Sequence, residues 1–198
     1  MSGDRQQLLE LLYYSIHSIL FHRGVYAREE FDIVSKYGET QYVIADATTR
    51  HYIDAFLAQV NAWLDSGEIT HLVVIILSKD DGRTLERWTF DVTTNPHSPT
   101  LVPAITKNLV MDIAVPNVLK QLTAATTFLP DLPTPAVFKL QAYVMPENET
   151  SLSLLSDEWV AVDGVHPFGE DVETQQTLLR GVKTTDREVN LLLTALDD

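Results

Sequence analysis

The hydrophobic pattern changes period several times along the chain, and each change predicts an element. Leu9, Leu12, Ile16, Ile19 and Leu20 recur at helical spacing, which predicts a helix from about Asp4 to Phe21 with that stripe buried. Asp4 stands near its start, where a carboxylate suits the helix dipole, and Gly24 follows as a C-terminal cap. Tyr42 to Ile44 reads as a short strand or loop segment. Ile53, Phe56, Leu57, Val60, Trp63 and Leu64 make a second stripe, predicting a helix from about Thr48 to Ser66 that Gly67 ends.

From Ile69 to Val92 the chain reads as a hairpin. Leu72 to Leu77 is apolar nearly throughout, as in a central strand buried on both faces. Asp80-Asp81-Gly82 supplies the turn. The return strand alternates: Trp88, Phe90 and Val92 point one way, and Leu85, Arg87, Thr89 and Asp91 the other. Glu86 falls on the Trp88 side, where an unpaired carboxylate is very costly. Arg23, at the end of the first helix, is the candidate partner.

A third helix is predicted over about Ala104 to Thr127, with Pro116 kinking it or opening a second helix. Val137 to Val144 alternates again, with Phe138, Leu140, Ala142 and Val144 inward and Lys139, Gln141 and Tyr143 outward. Residues 147–176 are acidic, with Trp159 an isolated large aromatic. Leu178 to Lys183 and Val189 to Leu196 are apolar runs, and periodicity lets the last be helix or strand. Helices beside a mainly antiparallel sheet give an α+β domain.

Composition narrows the function. A chain of 198 residues suits one substantial domain. Its net charge of −14 opposes docking on nucleic acid or on an anionic membrane. There is no cysteine, hence no disulfide, thiolate metal site or cysteine nucleophile. Met1-Ser-Gly-Asp-Arg5 lacks a signal-peptide pattern and no apolar run reaches the roughly 18 residues of a membrane span, which fits an intracellular chain. No P-loop, dinucleotide glycine fingerprint, His-Glu-x-x-His or Gly-x-Ser-x-Gly motif is present. The six histidines are scattered, Asp80 and Asp81 belong to a turn, and Asp157-Glu158 reads as a solvated pair. These features point away from an enzyme. An α+β hydrolase assembled from distant residues is the contrasting reading, and it requires a pocket of converging titratable groups that a peptide adaptor would lack.

Four collinear stretches then carry a family resemblance. Ile19-Leu-Phe-His-Arg-Gly-Val-Tyr26, with Phe31 to Gly38, resembles the first-helix signature of HORMA-domain proteins, and among them the spindle-checkpoint members. Leu85-Glu-Arg-Trp-Thr-Phe-Asp91 is similar to that family's central strand, Thr126 to Pro130 to the end of its third helix, and Thr184 to Asn190 to its C-terminal segment. Trp63, Trp88 and Trp159 fall where the family places tryptophans.

The resemblance implies a single HORMA domain over residues 1–198. Its core spans about 1–146, and its mobile safety belt about 147–198. The family implies an adaptor that needs no cofactor or metal. A closure-motif peptide, from a checkpoint scaffold or from the activator of the anaphase-promoting complex, adds as a strand and the belt wraps over it, delaying anaphase. The peptide site implied is Phe138, Leu140, Ala142, Val144 and Trp159. The belt packs differently in open and closed states of the family. The resemblance also implies the Arg23–Glu86 pair, and open–closed dimerisation through the third helix at Lys120, Gln121 and Phe128. Lys120 stands where the family favours arginine, so it keeps the charge and loses the planar donor fork. Remodelling by an AAA+ ATPase acting with an adaptor, and residence in the nucleus, at kinetochores and in the cytoplasm, are implied too. The N-terminal arm that the ATPase grips is short here. The runner-up within the family is the adaptor of translesion polymerase zeta; a meiotic chromosome-axis role fits less well, without a long C-terminal extension.

Overall fold

The computed structural model describes residues 3–94, 104–145, 174–183 and 187–196. Helix α1 spans Gly3–His22. Its end is closed by paired bonds, Val25 N–H to the Leu20 carbonyl and Gly24 N–H to the Phe21 carbonyl, with Gly24 at φ +64°. That is the Schellman arrangement, and it fixes Arg23 at the mouth of the helix.

A hairpin follows, β1 (Phe31–Lys36) and β2 (Glu39–Ile44). Lys36 pairs with Glu39, so the loop is Tyr37-Gly38. Both residues have positive φ, 54° and 71°, as a type I′ turn requires. Tyrosine is unusual in that position, and its hydroxyl is held by Glu10 Oε2 on α1 at 2.5 Å. The expected short strand at Tyr42 to Ile44 is thus the end of a longer one, paired with a strand that periodicity alone did not reveal.

Helix α2 (Ala47–Ser66) begins at Asp46, whose carboxylate accepts from Thr49 N–H at 2.7 Å, and ends at Gly67 with φ +79°. Its buried stripe is the predicted one, Ile53, Phe56, Leu57, Val60, Trp63 and Leu64. Helix α3 is one helix over Ala104–Thr126 with Pro116 inside it, so of the two expected alternatives, a kink or a division into two helices, the division does not occur. Val115 before the proline and Val118, Leu119 and Leu122 beyond it are all anchored in the core, which holds the helix on its course.

Strands β3 (Ile69–Ser78), β4 (Thr84–Thr94), β5 (Ala136–Val144), β6 (Thr174–Lys183) and β7 (Arg187–Leu196) form an antiparallel sheet in the order β5-β3-β4-β7-β6. The C-terminal run that read either way is a strand. Leu72, Val74 and Ile76 of β3, Trp88, Phe90 and Val92 of β4, Leu140 of β5, and Val189, Leu191 and Leu193 of β7 join the three helices in one core. On the opposite sheet face Val73 and Ile75 are buried as well, as a central strand predicts. Leu85 departs from the expected alternation. The register shifts between Ile76 and Leu77, a bulge that leaves Leu85 unpaired and lets it turn into the core beside Glu86.

Candidate functional site

Strand β5 is the end of the sheet and, among the described residues, pairs with β3 alone. Its side chains alternate as the sequence predicts: Leu140 is buried, and Phe138, Ala142 and Val144 pack against the core from partly covered positions. The backbone in the sheet plane matters more for recognition. Lys79 N–H donates to Pro135 O on the β3 side, and Thr70 Oγ1 donates to Tyr143 O. Leu140 N–H instead leaves the sheet and donates to the Tyr52 hydroxyl at 3.1 Å. In an antiparallel ladder successive residues alternate between bonding to the partner and facing away. Phe138, Leu140 and Ala142 therefore turn their amides and carbonyls to the open edge, while Lys139, Gln141 and Tyr143 hold β5 to β3.

Aromatic groups flank this edge. On the helix side the Phe138 ring lies 5.7 Å from Tyr52 and 6.1 Å from Tyr26, centroid to centroid. On the far face Tyr143 receives a hydrogen bond from Arg87 at 3.2 Å, has its ring faced by the same guanidinium, and meets His71 edge-on. An extended chain laid along β5 would send alternate side chains to these two sides. Tyr26 was marked only as the end of the first-helix signature and Tyr52 not at all: Tyr52 stands off the α2 stripe, and its place is visible only once β5 is in position.

Deeper in the domain, Arg23 and Glu86 meet. Arg23 Nε donates to Glu86 Oε1 at 2.7 Å, and a second guanidinium nitrogen donates to the Pro130 carbonyl at 2.6 Å. The other carboxylate oxygen, Oε2, accepts from the Trp88 indole at 3.1 Å. Both charged groups are buried, Arg23 at 8% exposure and Glu86 at 2%, so each desolvated charge depends on the other. The group ties the end of α1 to β4 and to the loop that enters β5.

The α3 residues expected at a dimer face lie toward its C-terminal end. Lys120 is exposed and pairs with Glu39 at 2.8 Å, Gln121 is partly covered, and Phe128 just beyond the helix is 86% exposed. Trp159 lies outside the described residues. In the core, His17 Nδ1 donates to the Tyr13 carbonyl at 2.8 Å while Nε2 has no hydrogen-bond partner among the described residues, and burial lowers its pKa to about 4. Among the described residues no three His, Asp or Glu side chains are placed to hold a metal ion, and no helix is long and apolar enough to cross a membrane.

Comparison with known proteins gives a consistent picture. The HORMA domain model matches residues 6–149. The mitotic spindle assembly checkpoint protein MAD2A of Dictyostelium discoideum is 33% identical over 194 residues, covering 98% of this chain and 91% of that protein. MAD2A of Homo sapiens is 32% identical over 154 residues, 75% of each chain. A chain in the crystal structure of the mitotic checkpoint complex shares the fold at a TM-score of 0.83 and 28% identity, over 98% of this chain and 99% of that one. C. elegans HTP-2, solved bound to the HIM-3 closure motif, shares the fold at a TM-score of 0.74 and 12% identity, over 97% of this chain and 90% of its own.

Proposed function

The chain belongs to the HORMA domain family, and from that premise we propose that it is a spindle-checkpoint adaptor that captures a closure-motif peptide along β5. The observation that carries the reading is the edge itself: Phe138, Leu140 and Ala142 offer main-chain groups in the plane of the sheet while their side chains stay anchored in the core. Main-chain bonds supply affinity for any extended segment, and the aromatic groups on either side supply selectivity. The C-terminal hairpin sits on β4, at the other side of the sheet. Among the described residues that arrangement leaves the outer edge of β5 unpaired, as a peptide-accepting state requires.

The partners are closure motifs of a checkpoint scaffold and of the anaphase-promoting-complex activator, and sequestering the activator delays anaphase. Phe138, Leu140, Ala142 and Val144 form the receiving strand. Residues 147–198 act as the belt over a core of residues 1–146, with Trp159 closing on the bound peptide. Lys120, Gln121 and Phe128 form a face for a second copy, and an AAA+ ATPase with its adaptor returns the belt to its starting position. The protein works by binding, in the nucleus, at kinetochores and in the cytoplasm.

The test is a titration of the purified chain with synthetic peptides spanning a checkpoint scaffold and the activator, followed by tryptophan fluorescence. Saturable binding with a slow spectral change is expected from the wild type. Ala142→Pro removes an amide that faces the open edge and leaves the β3 ladder intact, so this variant should fold and lose peptide binding. Equal binding by wild type and variant, or binding only of peptides from the translesion-polymerase partner, would overturn the reading, the second in favour of the polymerase adaptor.

A further inference from the structure

Strand addition at β5 meets an obstacle that belongs to the chain itself. The Leu140 amide points to the open edge, and its acceptor position is already filled by the Tyr52 hydroxyl, 3.1 Å away. An incoming strand would bring a backbone carbonyl to that same amide. The two acceptors compete for one donor. Tyr52 is able to leave: its residue is 43% exposed, while its neighbour Ile53 is fully buried and keeps α2 seated. Rotation of one side chain frees the edge without opening the core. The ring, 5.7 Å from that of Phe138, would then remain beside it as part of the wall that a peptide side chain meets.

We propose that Tyr52 is a latch on the peptide edge, its hydroxyl standing in for a backbone carbonyl of the bound strand and yielding to it when peptide docks. This rests on strand addition along β5, the function proposed above. The latch serves the empty molecule as well. An exposed row of unpaired amides invites edge-to-edge pairing with other chains, and Tyr52 covers the central one. It discriminates too: a segment unable to present a carbonyl at that register leaves the Leu140 amide unpaired on displacing the hydroxyl, a lost hydrogen bond that weakens binding.

The variant that isolates the hydroxyl is Tyr52→Phe, which keeps the ring and places no strain on a partly exposed site. Amide hydrogen exchange in the free full-length chain comes first, since it needs no peptide. The Leu140 amide should exchange about tenfold faster in Tyr52→Phe, the equivalent of one net hydrogen bond, with Lys139 and Gln141 unchanged. Unchanged exchange at Leu140 overturns the latch. Stopped-flow association with the synthetic checkpoint-scaffold peptides comes second. Tyr52→Phe should associate several-fold faster with its dissociation rate nearly unchanged. Slower association overturns the latch, because the hydroxyl would then be a contact made to the peptide. Faster exchange at Leu140 in Tyr52→Phe, together with a wild-type chain that binds none of these peptides, would leave Tyr52 as an edge cover and remove the strand-addition reading instead.

Discussion

The two sides of the five-stranded sheet solve the same problem by different means. On one side β4 is completed by β7, whose Val189, Leu191 and Leu193 enter the core and whose outer neighbour β6 belongs to the same hairpin. On the other side β5 is anchored just as firmly by Leu140, yet nothing among the described residues pairs with its outer backbone beyond one tyrosine hydroxyl. The far side of β6 is polar and exposed at Gln175, Gln176 and Thr177, with Leu178 at 74% exposure. It carries little that would hold a partner in one register. The β5 side carries aromatic groups above and below. Among the described residues one edge is finished with the chain's own strands, and the other meets only a side chain.

That contrast can be broken most forcefully at the buried charge pair, which underlies both sides. Glu86 lies opposite Ala195 of β7, and Arg23 reaches the Pro130 carbonyl at the entry to β5. Glu86→Ala strands the Arg23 charge and frees the Trp88 indole, and should cost about 4 kcal/mol, read as the urea unfolding midpoint. Both edges should lose amide protection together. A loss confined to β7 would show that the pair serves the hairpin alone.

Leu191→Ala should sharpen the difference. It removes a fully buried side chain from the inner strand of the hairpin, a cost of about 3 kcal/mol. Hydrogen exchange should rise across residues 187–196 well before it rises across 136–144, because β5 is held by β3 and not by the hairpin.

Acid should act evenly on both sides and least. His17 lies in the shared core with a pKa near 4, against 6.5 for the free side chain. Its neutral form is the one that folding favours, so its contribution is complete above pH 6.5 and is lost as pH falls toward 4. At pH 5 the loss should be about 2 kcal/mol relative to pH 7, measured from paired urea curves. The His17→Gln chain, whose amide can still donate to the Tyr13 carbonyl, should show a flatter dependence over that interval.

Much of this was legible in the chain. Stripes of period 3.6 located α1 and α2 to within a residue or two, because both helices bury one face fully. A single anomaly, a carboxylate on the tryptophan side of a strand, made Arg23 the candidate partner of Glu86, and the family resemblance implied the pair. The β1–β2 hairpin was harder, since its turn carries tyrosine where asparagine or aspartate usually signals positive φ, and the compensating bond comes from Glu10 on a distant helix. Leu85 defeated simple alternation because a bulge depends on the partner's register, which one strand's sequence does not contain. The edge residues of β5 were named from the sequence, but for their side chains. Which way their amides face depends on pairing with β3, and the role of Tyr52 depends on that in turn.

The position of β7 also has a consequence in time. Its partners on β4 lie about a hundred positions earlier in the chain, as Leu193 does from Trp88, whereas β3 and β4 are joined by a short turn. Closing so long a loop is entropically slow compared with forming a local hairpin. In vectorial synthesis β7 also emerges last. A newborn chain therefore passes through an interval with the helices and β3, β4 and β5 assembled and both flanks of that three-stranded ribbon still unclaimed. Whichever strand arrives first at each flank, the chain's own or a neighbour's, decides what kind of molecule is made.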